Sequence, residues 1–307
     1  MALHRLTRVT IGVPAVAETV GYYTEFGLEH LGGGAFASRD GGEQLRIVPA
    51  RTRRLVELGV GCDDRDDVAR IAARLERRGL PRTVRDDTLT AVEPVVGFEV
   101  TVAVAPRLAQ SPAPTPPYNG PGRVERRGRA PGVLRTAAVR PRRLGHAVVG
   151  TVDLATTVAF FVDVLGFRVS DHIGTRGAFL RCSTDHHNVL ALAAPVNFLH
   201  HTSWQVDDVD DVGRGAKAML EADPARHVWG LGRHHAGSNF FWYLKDPAGN
   251  FSEYYADMDV IGEDETWTPE VFEGAQGLFD WGPPPPPSFL EPDDLAALMT
   301  GLHASGR

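Results

Sequence analysis

Two stretches of this chain echo one another, and that internal repeat limits the possible folds more than any other feature. Residues 12–28 (GVPAVAETVGYYTEFGL) resemble 150–167 (GTVDLATTVAFFVDVLGF). Each has a strand-like start, then a helix with an aromatic pair, Tyr22-Tyr23 or Phe160-Phe161, then Gly before a large apolar residue. Residues 58–70 (LGVGCDDRDDVAR) match 202–214 (TSWQVDDVDDVGR), where a strand ends and acidic residues cap the next helix. A weaker echo links 93–101 (EPVVGFEVT) with 246–253 (DPAGNFSE). Repetition on this scale means duplicated supersecondary units, here two similar halves, each a doubled strand–helix–strands unit. The expected class is therefore α+β.

The boundaries follow from composition. An N-terminal domain is expected over 1–108, a linker over 109–143, a second domain over 144–262 and a tail over 263–307. The linker is dense in Pro and Gly and carries eight arginines, so it reads as a solvated connector rather than an anion-binding patch. The tail is acidic and proline-rich. Its Trp267, Phe272, Phe279 and Trp281 imply packing over the body, with a short helix over Pro292–Leu302 capped by Asp293 or Asp294. A net charge of −7 argues against a general nucleic-acid binder. No apolar run reaches the length of a membrane span, and the start of the chain lacks a secretory pattern. Cys62 and Cys182 have no CxxC partner, which suits a reduced cytoplasm.

Chemistry concentrates in the second half. His146 lies in GHAVVGT, His201 in HHTSWQV and Glu253 in NFSEYY, with intervals of 55 and 52 residues, one per structural unit. Alternation puts His146, Val148 and Gly150 on one strand face, His201 with Ser203 and Gln205 on another, and Glu253 with Phe251 and Tyr255 on a third. Two neutral imidazoles and one carboxylate on one face of a metal leave three positions open. Non-haem Fe(II) oxygenases use that donor set, and Mn(II) accepts it too. The first half is a built-in control: aligned on the repeat, His146 falls opposite Arg8, His201 opposite Glu57 and Glu253 near Thr101.

More polar residues cluster around the same module. His187 begins the strand-like HNVLALAA, His234 ends the turn LGRH, and Tyr243 sits in NFFWYLKD. Together they offer an acid/base group and hydrogen-bond donors beside an open metal site. His186, His200 and His235 each adjoin a favoured histidine, so one-residue shifts of assignment stay open. The acidic runs at 63–67 and 207–211 lack the Gly and Glu of a calcium loop and read as helix caps.

On the segments LGHAVVGTVDLATTVAFFVDVLGF, AFLRCSTDHHNVLALAA, LHHTSWQVDDVDDV, LGRHH and FFWYLKDPAGNFSEYY, the chain resembles the type I extradiol ring-cleavage dioxygenases of the vicinal oxygen chelate superfamily. The resemblance implies tandem βαβββ modules forming two similar domains, each a curved mixed sheet enclosing a cavity, with no metal in the first. It implies Fe(II), or Mn(II), on His146, His201 and Glu253, and an acid/base role for His187. His234 and Tyr243 would then bond substrate oxygens, and Val148 and Phe179 would line a dioxygen pocket. The activity implied is cleavage of a catechol-type ring with O2 by a homo-oligomeric, cytoplasmic enzyme with no membrane or nucleic-acid partner. The rivals are a glyoxalase-like isomerase, an antibiotic-modifying transferase, or a non-catalytic binding module. The sequence leaves open which catechol is cleaved and on which side of a substituent.

Overall fold

The repeat folds as four strand–helix–three-strand units. The first contains β1 (Leu3–Val13), α1 (Val16–Glu25), β2 (Glu29–Gly32), β3 (Ala35–Ser38) and β4 (Gly42–Pro49). The second contains β5 (Arg54–Cys62), α2 (Arg65–Arg77), β6 (Arg82–Arg85), β7 (Thr88–Val92) and β8 (Glu99–Val104). After the linker come β9 (Arg143–Thr151), α3 (Leu154–Ala159) continuing into a π turn over Phe160–Leu165, β10 (Arg168–Ile173), β11 (Gly177–Arg181) and β12 (Val189–Ala193). The last unit holds β13 (Phe198–Gln205), α4 (Val209–Ala222), β14 (His227–Arg233), β15 (Phe240–Lys245) and β16 (Phe251–Ala256). The tail adds β17 (Val271–Phe272), α5 (Pro287–Leu290) and α6 (Leu295–Ala304). This computed structural model describes residues 2–114, 117–129 and 135–304, so parts of the expected linker and the end of the tail lie outside the described residues.

The class is α+β, with two mixed sheets. The first has the order β2-β3-β4-β1-β5-β8-β7-β6, and the second β14-β15-β16-β13-β9-β12-β11-β10-β17. Central pairs within each sheet are parallel where a helix crosses over, as in β1 with β4, and antiparallel where two units meet, as in β1 with β5. The acidic runs are helix caps. Asp64 accepts from Asp67 N at 2.9 Å in a capping box, and Asp208 accepts from Asp211 N at 3.1 Å.

The aromatic pairs of the repeat explain how the halves pack. Helix α1 lies against the second sheet: Phe26 stacks on Tyr254 with centroids 3.9 Å apart, and Tyr22 Oη meets Ser252 Oγ at 2.5 Å. Reciprocally, the π turn packs on the first half, where Phe161 meets Phe98 and Asp163 pairs with Arg78 of the segment after α2. Gly27 ends α1 at φ +95°, and a Cβ there would lie 2.1 Å from the Val139 carbonyl oxygen, so only glycine fits. The linker arginines meet carboxylates of both halves: Arg135 with Asp208, Arg140 with Glu29, Arg142 with Asp40 and Asp207, and Arg143 with Asp185.

Three local readings need correction. Strand β12 starts at Val189, so His187 sits in the loop before it rather than at its head. His234 follows strand β14 rather than ending a turn, because Trp229 and Gly232 pair with Tyr243 and Phe241 of β15. The last helix spans Leu295–Ala304 instead of Pro292–Leu302; Pro292 supplies the carbonyl that Leu295 N bonds. Cys62 and Cys182 are buried and unpaired. Among the described residues no helix is long and apolar enough to cross a membrane.

Candidate metal centre

Strand register brings the three donors together. In the second sheet β9, β13 and β16 are neighbours, and Ser203 of β13 faces His146 on one side and Glu253 on the other. His201 stands two residues before Ser203, on the same strand face. The result is a close group: His146 Nε2 lies 3.0 Å from Glu253 Oε2, His201 Nε2 lies 3.4 Å from His146 Nε2, and His201 Nε2 lies 3.6 Å from Glu253 Oε2. Donors about 2.1 Å from one ion and at right angles stand ~3 Å apart, so these spacings suit one cation.

Electrostatics make the same point. Glu253 is fully buried, and its Oε2 has no hydrogen-bond partner. Leaving a carboxylate oxygen unpaired in a dry site is costly unless a cation sits beside it. Burial opposes ionisation of Glu253, but the His146 imidazole, with Nε2 3.0 Å from Oε2, outweighs it and holds the pKa below the usual carboxylate range. Its other oxygen, Oε1, accepts from Asn239 Nδ2 at 3.2 Å. Burial, and then the neighbouring His200, push His201 well below the usual histidine range, so it is neutral and able to bind a metal. The donor set, the orphan oxygen and the spacing together fit a divalent ion.

His200 explains which nitrogen of His201 is free. His200 Nε2 lies 2.6 Å from the Phe289 carbonyl, which can only accept, so that nitrogen carries the proton. Nδ1 of His200 is then bare and accepts from His201 Nδ1–H at 2.7 Å. His201 Nε2 is left unprotonated and aimed at His146 and Glu253. Metal-binding histidines are held in this way by partners behind them.

A cavity of about 350 Å³ opens beside the group. Val148, Phe179, Leu190 and Leu192 give it an apolar wall, and Tyr243, His234 and Phe289 close another side. His187 lines it with its ring centroid 4.3 Å from that of His146, and its Nδ1 meets His186 Nδ1 at 3.1 Å. Burial, and then the neighbouring imidazoles, push the His187 pKa well below the ordinary range. Tyr243 Oη donates to His234 Nε2 at 2.8 Å, while His234 Nδ1 donates to the Leu278 carbonyl. Burial, and then Glu253, raise the Tyr243 pKa well above its usual value, so the phenol keeps its proton. His234 Nε2 also lies 3.7 Å from Glu253 Oε1. The structure thus gathers His146, His201, Glu253, His187, His234, Tyr243, Val148 and Phe179 in one place.

The chain's likeness to known proteins bears on this geometry. The Glyoxalase/Bleomycin resistance protein/Dioxygenase superfamily matches residues 143–254. A protein named metapyrocatechase 2, from Cupriavidus necator, is 31% identical over 94% of this chain and 92% of its own length.

The chain belongs to this superfamily.

Another relative, named iron-dependent extradiol dioxygenase, from Rhodococcus jostii strain RHA1, is 30% identical over 40% of this chain and 46% of its own. A solved Mn(II)-bound glyoxalase from Novosphingobium aromaticivorans shares 25% identity and a TM-score of 0.73, covering 91% of this chain and 90% of that one. The chain's own repeat makes the first half informative. Arg8, Glu57 and Thr101 occupy the sister positions by register. There Arg8 donates to both oxygens of Glu57 at 2.8 and 2.9 Å, and Thr10 and Thr101 donate to the same carboxylate. A guanidinium satisfies that carboxylate, where the second half leaves an oxygen bare.

Reasoning from sequence missed Asn239 and Phe289. Asn239 meets Glu253 only through folding, and no local pattern marks it. Phe289 comes from the tail, which suggested packing but not a place over His200, whose ring lies 4.8 Å away. The doubled histidines were the one available signal for His186 and His200.

Proposed function

We propose that this chain is an extradiol dioxygenase that cleaves a catechol-type ring with O2, using Fe(II), or Mn(II), held by His146, His201 and Glu253. The observation that carries the reading is the bare, buried Glu253 Oε2 beside His146 Nε2 and the unprotonated Nε2 of His201, at the wall of an apolar cavity. The names of the relatives support the same chemistry. His146, His201 and Glu253 would hold the ion, which when bound would supply Lewis acidity toward vicinal hydroxyls and open positions for substrate and dioxygen.

The chain's own residues supply the rest. His187, neutral and with Nε2 free toward the cavity, takes a proton from a catechol hydroxyl and returns it to product. Tyr243, steadied by His234, offers its phenol oxygen to the substrate side of the site. Val148 and Phe179 pack with Leu190 and Ala236, keeping water out of the space next to His187. Leu190, Leu192, Phe198 and Ile173 give the remaining volume an apolar surface, which suits a ring with an apolar substituent.

The test is oxygen uptake by Fe(II)- and Mn(II)-loaded protein against catechols with substituents of increasing size. One O2 consumed per catechol, with a yellow ring-fission product, is the expected result. A metal-loaded protein inert toward every catechol would refute the reading and leave the isomerase and transferase chemistries of the superfamily.

A further inference from the structure

Behind His187 lies a second chain of buried polar groups that the proposed reaction has not used. His186 Nε2 is 2.7 Å from Asp171 Oδ2, and His186 Nδ1 is 3.1 Å from His187 Nδ1. Asp171, His186 and His187 are each no more than 3% exposed. We propose that Asp171 and His186 are positioning residues for His187: they fix its proton on Nδ1, turn Nε2 to the cavity, and back the charge it gains with a carboxylate.

The proton positions follow from the acceptors. An ionised Asp171 can only accept, so His186 Nε2 carries a hydrogen. A His186 ring that carries its one hydrogen on Nε2 has a bare Nδ1, which accepts from His187 Nδ1–H at 3.1 Å. His187 Nε2 is thereby the basic nitrogen. Asp171 is itself held: its Oδ1 accepts from Glu270 N at 2.7 Å, where the tail crosses β10. The His186 ring has little freedom. A Cβ on Gly237 would come within 3.1 Å of it, Phe179 meets its edge at 5.5 Å between centroids, and Trp267 lies at 6.0 Å.

The two doubled histidines differ at one end. The His201–His200 chain ends on a neutral carbonyl, Phe289 O, whereas the His187–His186 chain ends on a carboxylate. A metal ligand needs only its tautomer fixed. A base that becomes an imidazolium gains from a negative group two hydrogen bonds away. When a catechol O–H bond breaks and His187 Nε2–H forms, no electrons change hands. The positive charge is shared along the chain, and Asp171 stays unprotonated. The proton later leaves Nε2 for a product oxygen.

This inference rests on the dioxygenase reading for the proton moved, but its tautomer claim stands apart. The test compares wild type, Asp171→Asn and His186→Phe as full-length chains. Imidazole ¹⁵N spectra of the protein loaded with diamagnetic Zn(II) read the tautomer of His187. Steady-state kinetics and Mn(II) stoichiometry of the same proteins read function. Wild type should show His187 protonated on Nδ1. Both variants should lose that preference, keep wild-type metal stoichiometry, and drop kcat about 10- to 100-fold with KM changed less than about threefold. A wild-type His187 protonated on Nε2, or variants with unchanged kcat and tautomer, would overturn the proposal. If wild type cleaves no catechol, the function falls, and the spectra alone still decide whether Asp171 and His186 set the tautomer.

Discussion

A neutral imidazole has one proton for two nitrogens, and where that proton sits decides what the ring does. Here the deciding groups stand behind the ring: Phe289 O through His200 for His201, and Asp171 through His186 for His187. His146 differs, since its Nδ1 is buried without a partner, and Glu253 Oε2 sits 3.0 Å from its Nε2. Replacing Glu253 with Ala removes the only anionic donor of the group, so metal binding should be lost by calorimetry while the protein stays folded. His187→Phe should retain metal but slow turnover about 100-fold or more in oxygen-uptake assays. The triad was legible in the sequence because two histidines and a glutamate recurred at intervals of 55 and 52 residues, and the sister repeat lacked them. Asp171 and Asn239 were not, because an acid or amide gains its role only from what folding puts within 3 Å or so.

At the level of elements, the site is a consequence of register. Strands β9, β13 and β16 place His146, Ser203 and Glu253 in line, and a register shift between Leu199 and His201 lets both His200 and His201 find partners. Alternation of side chains therefore predicted the ligand face of His201 but not the use of His200. Strand β16 is buried at every residue: one face carries Glu253 to the two histidines and the other meets α1. His200→Ala should weaken metal affinity about 10- to 100-fold in anaerobic titrations, because His201 loses the acceptor for its Nδ1–H. The tail is tied down by an ion pair between Arg53, 1% exposed in its side chain, and Asp294. Arg53 also donates to Leu199 O, next to His200. Asp294→Ala leaves that buried guanidinium short of an anion, and should destabilise the chain by roughly 1–3 kcal/mol in urea unfolding.

For the whole molecule, the duplication was the most readable feature, and the first half's repeat positions explain why it differs. Arg8 with Glu57 is a built-in cation–carboxylate pair where the second half has an unpaired oxygen. What the sequence did not show was how the halves lock together, because Tyr22, Phe26 and Tyr254 meet only across more than two hundred residues. Phe26→Ala should cost about 3–5 kcal/mol, since it empties a stack on Tyr254 at the join. Asp246 adds a pH signature to the same join, where Tyr23 Oη donates to it. Burial, outweighing its bonds from Asn250 and Ala248, raises its pKa from 3.8 to about 6. The folded chain thus holds a proton that the unfolded chain releases between those values. The resulting stability is complete below the unfolded value and is lost as pH rises through about 6, a contribution of about 3 kcal/mol. Asp246→Asn should flatten the fall in unfolding free energy across that window.

The central claim is that one metal site exists, in the second half and on His146, His201 and Glu253. Anaerobic titration of Fe(II) into the full-length chain measures it directly. The account predicts one ion per chain for wild type, one for Arg8→Ala, and none for Glu253→Ala. Two ions on the wild-type chain, or an undiminished ion on Glu253→Ala, would contradict it.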